Sequence, residues 1–241
     1  MCDTCGCRHN EGAGHEEPAK VGKVVDVHEN LLAANNEQAA SNRRHIEKMG
    51  AVAINLISSP GSGKTSLLEQ TIERLKDRLS IGVIEGDLET ERDAERIRKK
   101  GVPAVQLTTG GGCHLDAPMV HGGLHVLEHM GKGKKFDLIF IENVGNLVCP
   151  AAFDLGEHQR VVLLSVPEGS DKPAKYPATF RSADLVLLTK TDLLPYFDFQ
   201  VDEASAAIRL LKPGMPILPL AAEKREGMDA WIGYLCSILP R

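Results

Sequence analysis

The stretch "SSPGSGKTSLL", residues 58–68, decides the fold. It follows the apolar run AVAINLIS (51–58) and opens a segment, 64–78, with helical spacing of its apolar residues. A glycine-rich turn between a strand and a helix can wrap its backbone around phosphate oxygens. Gly61 and Gly63 allow that close approach, and the helix start adds free N–H groups and a partial positive charge. Lys64 reaches the β- and γ-phosphates, and the Thr65 hydroxyl suits magnesium. The candidate nucleotide contacts are Ser59, Pro60, Gly61, Ser62, Gly63, Lys64, Thr65 and Ser66. The usual GxxxxGK(S/T) pattern begins with glycine. Here that position is Ser58, which leaves the geometry of the loop's first residue open.

Outward from this loop, short apolar runs alternate with longer amphipathic segments. The runs are IGVIEG (81–86), AVQLT (104–108), DLIFIE (137–142), VVLLSV (161–166), LVLLTK (185–190) and PILPL (216–220). Helices are expected at 26–48, 64–78, 91–100, 115–130, 201–211 and 227–238. Continuous apolar strands alternating with helices predict an α/β fold: a doubly wound, mostly parallel sheet with helices on both faces. Residues 8–23 are polar and without period, so the expected organisation is an arm and tether at 1–23 and one domain at 24–241.

The composition excludes several classes. Of 241 residues, 42% are hydrophobic and 25% charged, the balance of a soluble globular chain. The net charge of -5 and the lack of a basic stripe argue against nucleic acid. RIRKK (96–100) and KGKK (132–135) read as solvated helix ends. No apolar run reaches the roughly 18 residues of a membrane span, and the N-terminus lacks the apolar stretch of a signal peptide. A cytoplasmic protein with reduced cysteines is expected.

LLTKTD (187–192) ends an apolar strand and resembles the guanine-recognition motif (N/T)KxD of GTPases. Asp192 would accept from the two adjacent donors on the guanine edge, and the Lys190 stem would pack along the nucleotide. LIFIENVGN (138–146) places Glu142 at a strand end and Gly145 three residues on, where many GTPases carry a γ-phosphate-sensing glycine. VIEGDLET (83–90) places Asp87 past another strand end. Lys64, Asp87, Glu142 and Gly145 are therefore the catalytic candidates, with Thr65 and Asp87 for magnesium.

Six cysteines remain to be explained. CDTCGC (2–7) carries Cys2, Cys5 and Cys7, and reducing conditions favour metal binding there over a disulfide. Cys113 and His114 lie in GGGCHLD (110–116), and Cys149 follows Glu142 by seven residues. Thiolates and imidazole suit zinc, nickel or copper better than magnesium. Both loops leave the sheet edge that holds the nucleotide, which points to one shared metal site. Cys236 reads as core. His121, His125 and His129 recur every four residues and read as a solvated or packed helix face.

CDTCGC, NLISSPGSGKTSLL, EGDLETERDA, GCHLDA, FIENVGNLVCPAAFDLGE, SVPEGSDKPAKYP, LLTKTDLLPY and EGMDAW together make the sequence similar to the nickel-insertion GTPases of hydrogenase maturation (HypB-type). These are a branch of the nickel-handling P-loop GTPases, and the Ser58 departure looks like a feature they share. The resemblance implies hydrolysis of GTP to GDP and phosphate, coupled to nickel delivery. It implies a nickel site at Cys2, Cys5 and Cys7, for which the residues alone do not exclude zinc. It also implies a zinc or nickel site at Cys113, His114 and Cys149 on a homodimer interface linked to nucleotide or metal. The implied partners are a small zinc-containing maturation protein and the hydrogenase large subunit. The rival readings are a passive nickel or zinc carrier with little GTPase activity, a related chaperone for another metalloenzyme, and an ATPase of the same superfamily.

Overall fold

The computed structural model describes residues 21–87 and 91–240. The apolar runs form seven strands: β1 (Val52–Ser58), β2 (Ile81–Asp87), β3 (Ala104–Thr108), β4 (Leu138–Glu142), β5 (Gln159–Ser165), β6 (Leu185–Thr189) and β7 (Ile217–Pro219). They pair in the order β3-β2-β4-β1-β5-β6-β7, and every pairing is parallel. The doubly wound architecture is as expected. A parallel sheet needs crossovers, and α2 (Lys64–Leu75), α3 (Arg92–Lys99), α4 (Ala117–Met130), α5 (Lys172–Lys175), α6 (Pro177–Ser182) and α7 (Val201–Leu211) lie in them, while α1 (Val21–Lys48) precedes β1 and α8 (Met228–Ile238) follows β7.

Alternation along β1 builds the two layers. Val52, Ile54 and Leu56 pack with Leu68 and Ile72 of α2, Ile97 of α3 and Trp231 of α8. Ala53 faces the other way, against Ile46 of α1 and Leu124 of α4. Ile57 packs in a third cluster with Phe180 of α6 and Ile208 of α7. β1 is buried along its whole length, which is why its sequence shows no polar alternation. It lies between β4 and β5, where the winding reverses. That switch point places the 58–68 loop in the crevice at the carboxyl ends of the strands.

Some boundaries and assignments differ from expectation. α1 begins at Val21, five residues early, and so includes positions 21–23 of the expected tether. Cys2, Cys5, Cys7 and the tether up to residue 20 lie outside the described residues. α2 stops at Leu75, where Lys76 closes it with a bond to Ile72. The stretch 166–182 holds a 3-10 turn (Val166–Glu168), α5 and α6, each with a proline in its first turn. Those prolines were the available signal, since their fixed φ suits a helix start. Cys236 is exposed rather than core. It lies one position past buried Leu235, about 100° round the helix.

The narrow apolar stripe of α1 is supplemented by two buried asparagines. Asn42 Nδ2 donates to the carbonyls of Ala117 (2.8 Å) and Leu155 (3.0 Å). Asn35 Oδ1 accepts from Ala117 N (2.9 Å), and its Nδ2 donates to Asp154 O (2.8 Å). The two lie seven residues apart, two turns on one face, with Ala39 between them. Gly156, at φ 93, comes so close that a Cβ there would sit 2.6 Å from Ala39 O. Removing the Asn42 amide takes a donor from two buried carbonyls. Asn42→Ala is expected to lower stability by about 1–3 kcal/mol, read from urea unfolding with an unchanged m-value. A loss below about 0.5 kcal/mol, the level of an ordinary surface change, would refute polar anchoring of α1.

Candidate functional site

The phosphate loop turns into α2 at Gly63, whose left-handed φ of 96 a side chain would disfavour. Ser58, in the usual glycine position, is fully buried. Its hydroxyl donates to Ser59 O (2.7 Å) and accepts from Lys64 Nζ (3.0 Å). The serine therefore holds the lysine amine inside the loop. Ser62 Oγ lies 2.6 Å from Ser59 O and 2.8 Å from Glu168 Oε1. Thr189, at the end of β6, donates to Ser62 O (2.8 Å), which ties the loop to the strand carrying TKTD.

Glu142 ends β4 beside this loop. Its Oε1 accepts from Thr65 Oγ1 (2.9 Å), while its Oε2 is buried and finds no partner among the described residues. Glu85 on β2 is the register neighbour of Glu142 and is likewise buried, with Oε2 unpartnered. Burial pushes Glu142 up to about 7 against the pull of Lys64. Burial, then the Glu142 charge, pushes Glu85 up to about 8. Asp87, Asp93, Arg96 and Gly145 line the same cleft. An orphaned carboxylate oxygen next to a threonine hydroxyl fits a hard divalent cation, so magnesium suits this place.

The cleft continues into a second hollow lined by Ser62, Gly63, Ser66, Lys190, Asp192 and Leu220. Lys190 has a left-handed φ of 58, unusual for a side chain of its length. That turn lays its stem over the loop: a Cβ on Gly63 would sit 3.9 Å from Lys190 Cε. Asp192 lies in the 3-10 turn Thr191–Tyr196. The candidate phosphate and base residues thus face one continuous groove.

Cys113, His114 and Cys149 come together, with their ligand atoms within 4.8 Å of one another. The two sulfurs are 2.8 Å apart and free, and His114 Nδ1 is 3.5 Å from Cys113 Sγ. The hydrogen bond to Cys149 holds the Cys113 thiol above its usual range, and burial holds His114 below the usual imidazole range. Sulfurs bound to zinc at about 2.3 Å in a tetrahedron stand about 3.8 Å apart. The two sulfurs stand about 1 Å closer than that spacing.

The loop from 142 to 149 joins both sites. Gly145 lies against the phosphate loop, and a Cβ there would sit 2.8 Å from Pro60 Cα. Asn143 Oδ1 accepts from Leu115 N (3.1 Å) and Val144 N (3.0 Å). Asn146 Nδ2 donates to Cys113 O (3.3 Å). Asn143 Nδ2 also reaches Asn55 Oδ1 (3.4 Å), whose own amide donates to Glu157 Oε1 (3.2 Å).

Sequence reasoning missed Glu85, Asn143 and Arg96. Glu85 had a signal: a carboxylate in the middle of an otherwise apolar strand. Asn143 looked like an ordinary loop residue. Arg96 was grouped with solvated helix ends, but it lines the cleft, with its guanidinium held by Glu69 (2.9 and 3.1 Å) and Asp93 (2.9 Å).

Residues 52–219 match the family described as CobW/HypB/UreG, nucleotide-binding domain. The chain is 52% identical over 213 residues to hydrogenase maturation factor HypB of Rhizobium leguminosarum bv. viciae, covering 88% of this chain and 70% of that one. Among solved structures it resembles HypB from Helicobacter pylori in complex with nickel. The TM-score is 0.81 at 43% identity, over 85% of this chain and 94% of that one. HypB from Archaeoglobus fulgidus matches with a TM-score of 0.78 at 40% identity, over 86% and 98% of the two chains.

The paired carboxylates give a pH signature. Their folded pKa values, about 8 and about 7, lie above the ordinary 4.5, so the folded protein binds more protons than the unfolded chain in between. Stability contributed by the pair therefore falls as pH rises from about 4.5 to 8. Thermal unfolding between pH 5 and 8 should show Glu85→Gln gaining on wild type as pH rises. Parallel curves for the two proteins would show that the pair does not titrate in that window.

Proposed function

This chain belongs to the CobW/HypB/UreG nucleotide-binding family, on its HypB hydrogenase maturation branch, and from that premise we propose that it is a GTP-hydrolysing nickel metallochaperone for nickel–iron hydrogenase. The observation that carries the reading is the shared 142–149 loop. One end touches the phosphate loop through Gly145 and the other supplies Cys149 to the thiol cluster.

GTP lies in the groove with its phosphates on residues 59–66 and its base on Asp192. Lys64 leaves Ser58 Oγ for the β- and γ-phosphates, an exchange over a short reach because the amine already sits inside the loop. Thr65 with Asp87 or Glu142 holds magnesium, which when bound offsets triphosphate charge. Glu142, beside the phosphate loop, is the carboxylate placed to orient the attacking water. The Gly145 amide senses the γ-phosphate. A γ-phosphate pressing on residues 144–145 moves the segment that holds Cys149, and Asn143 and Asn146 carry the movement to Leu115 and Cys113. The sulfur separation, and hence metal affinity, then follows the nucleotide state.

Nickel is the cargo. Cys113, His114 and Cys149 supply three soft donors for nickel or zinc, and a second copy of the chain completes the shell in a homodimer. Cys2, Cys5 and Cys7 form the loading site. The partners are a small zinc-containing maturation protein and the hydrogenase large subunit, and the setting is the cytoplasm. The HypB solved with nickel is the relative that supports the metal assignment.

Three measurements test this. Nickel affinity, with GDP and then with a nonhydrolysable GTP analogue at full occupancy, should differ about 5- to 150-fold. Equal affinities would remove the coupling, and Asn143→Ala should bring the ratio towards one. Lys64→Ala should slow GTP hydrolysis about 100- to 1,000-fold, the loss expected for a main stabiliser of transition-state charge. Background hydrolysis in the wild type and the variant alike would make the protein a passive carrier. Asp192→Asn should weaken GTP binding relative to ATP, and an unchanged ratio would move base recognition elsewhere.

A further inference from the structure

His121 and His125 stand one turn apart on α4, with their Nε2 atoms 3.3 Å apart. The third member of the expected ladder, His129, is not part of their cluster. Each step of four residues turns about 40° past a full turn, so eight residues carry His129 about 80° round the helix. Its place is taken by His45 of α1, whose ring centroid lies 4.7 Å from that of His125 and 6.3 Å from that of His121. The three imidazoles place their ligand nitrogens within 4.8 Å of one another.

We propose that His45, His121 and His125 form a further cation site, sharing no residue with the thiol cluster, that takes a borderline divalent ion of the zinc or nickel class and fastens α1 to α4. Three observations carry it. Nitrogens bound tetrahedrally to zinc at 2.0–2.1 Å stand about 3.3–3.4 Å apart, and the two Nε2 atoms already have that spacing. The other ring nitrogen of His121, Nδ1, is buried and finds no partner among the described residues. Glu128 Oε2 lies 3.1 Å from His45 Nε2, which puts a carboxylate at the rim as counter-charge or fourth donor. It offsets Arg44 and Lys48, which line the same hollow.

The His121 ring is suited to an uncharged state. Burial, then the neighbouring His125 and His45, holds His121 below the usual imidazole range. Three imidazolium ions so close would repel one another, whereas three neutral imidazoles present lone pairs. Imidazole donors suit zinc, nickel and copper and discriminate against magnesium, so the site does not compete for the nucleotide's cation. Its ligands lie 76 or more residues apart between α1 and α4, since His45 and His121 come from different helices. Such a site exists only in the folded chain, so the ion stabilises the folded state by mass action.

The test uses the full chain with Cys2, Cys5, Cys7, Cys113 and Cys149 changed to serine. Zinc chloride in equilibrium dialysis should still bind at one equivalent and raise the unfolding temperature. Cobalt(II) should give ligand-field bands without a thiolate charge-transfer band. In that background, His45→Ala or His125→Ala should weaken binding at least about tenfold and remove the thermal shift, while His129→Ala changes neither. No bound cation, or binding untouched by His45→Ala and His125→Ala, overturns the site. If the serine chain does not fold, zinc equivalents on the native chain decide: His125→Ala should bind one fewer, and an unchanged count overturns the proposal.

Discussion

The approach of Gly145 to Pro60 is the contact on which the rest of the site depends. There is no room for a Cβ between them, so the loop after β4 rests directly on the phosphate loop. The same loop continues for four residues to Cys149, whose sulfur is hydrogen-bonded to the Cys113 thiol. This short chain is thus held by packing at one end and by a thiol contact at the other. Packed elements of this kind pass small displacements on because they have few intermediate arrangements.

The polar network beneath this loop explains why it is held so firmly. Asn143 and Asn55 are both buried, and their amides link to Glu157. Glu157 is paired with Arg160 at 2.7 Å and also accepts from Leu155 N. Leu155 O in turn receives Asn42 from α1. A chain of buried, satisfied polar groups thus runs from the N-terminal helix to the carboxylate edge. Losing one member leaves others without partners, at about 1–3 kcal/mol each.

The orphaned oxygens of Glu85 and Glu142 are the counterpart of this order. Two carboxylates on neighbouring strands, out of water and partly unpartnered, are unfavourable in a chain built for stability alone. They line the cleft beside the phosphate loop, and Lys64 stands close enough to lower Glu142. Tolerance of poorly satisfied charge at a ligand site is the common signature of function placed ahead of stability. The imidazole cluster between α1 and α4 repeats that theme away from the groove.

The seven strands and six of the helices were legible because burial on both faces leaves apolar runs, and helical period leaves a stripe. The phosphate loop, TKTD and the cysteine–histidine pair were legible because each chemistry needs its residue types at a local spacing. Ser58 was visible only as an exception; its bond to Lys64 needed the folded loop. Glu85 was marked only by its charge within an apolar run, and Asn143, Arg96 and His45 carried no local pattern, since each acts on a residue distant in sequence. The amino-acid order by itself thus determined the layers, the sheet edge and the donor types, all of which follow from short-range periodicity. Only the tertiary structure decided which donors meet, because strand register and helix docking bring together residues that the chain holds dozens of positions apart.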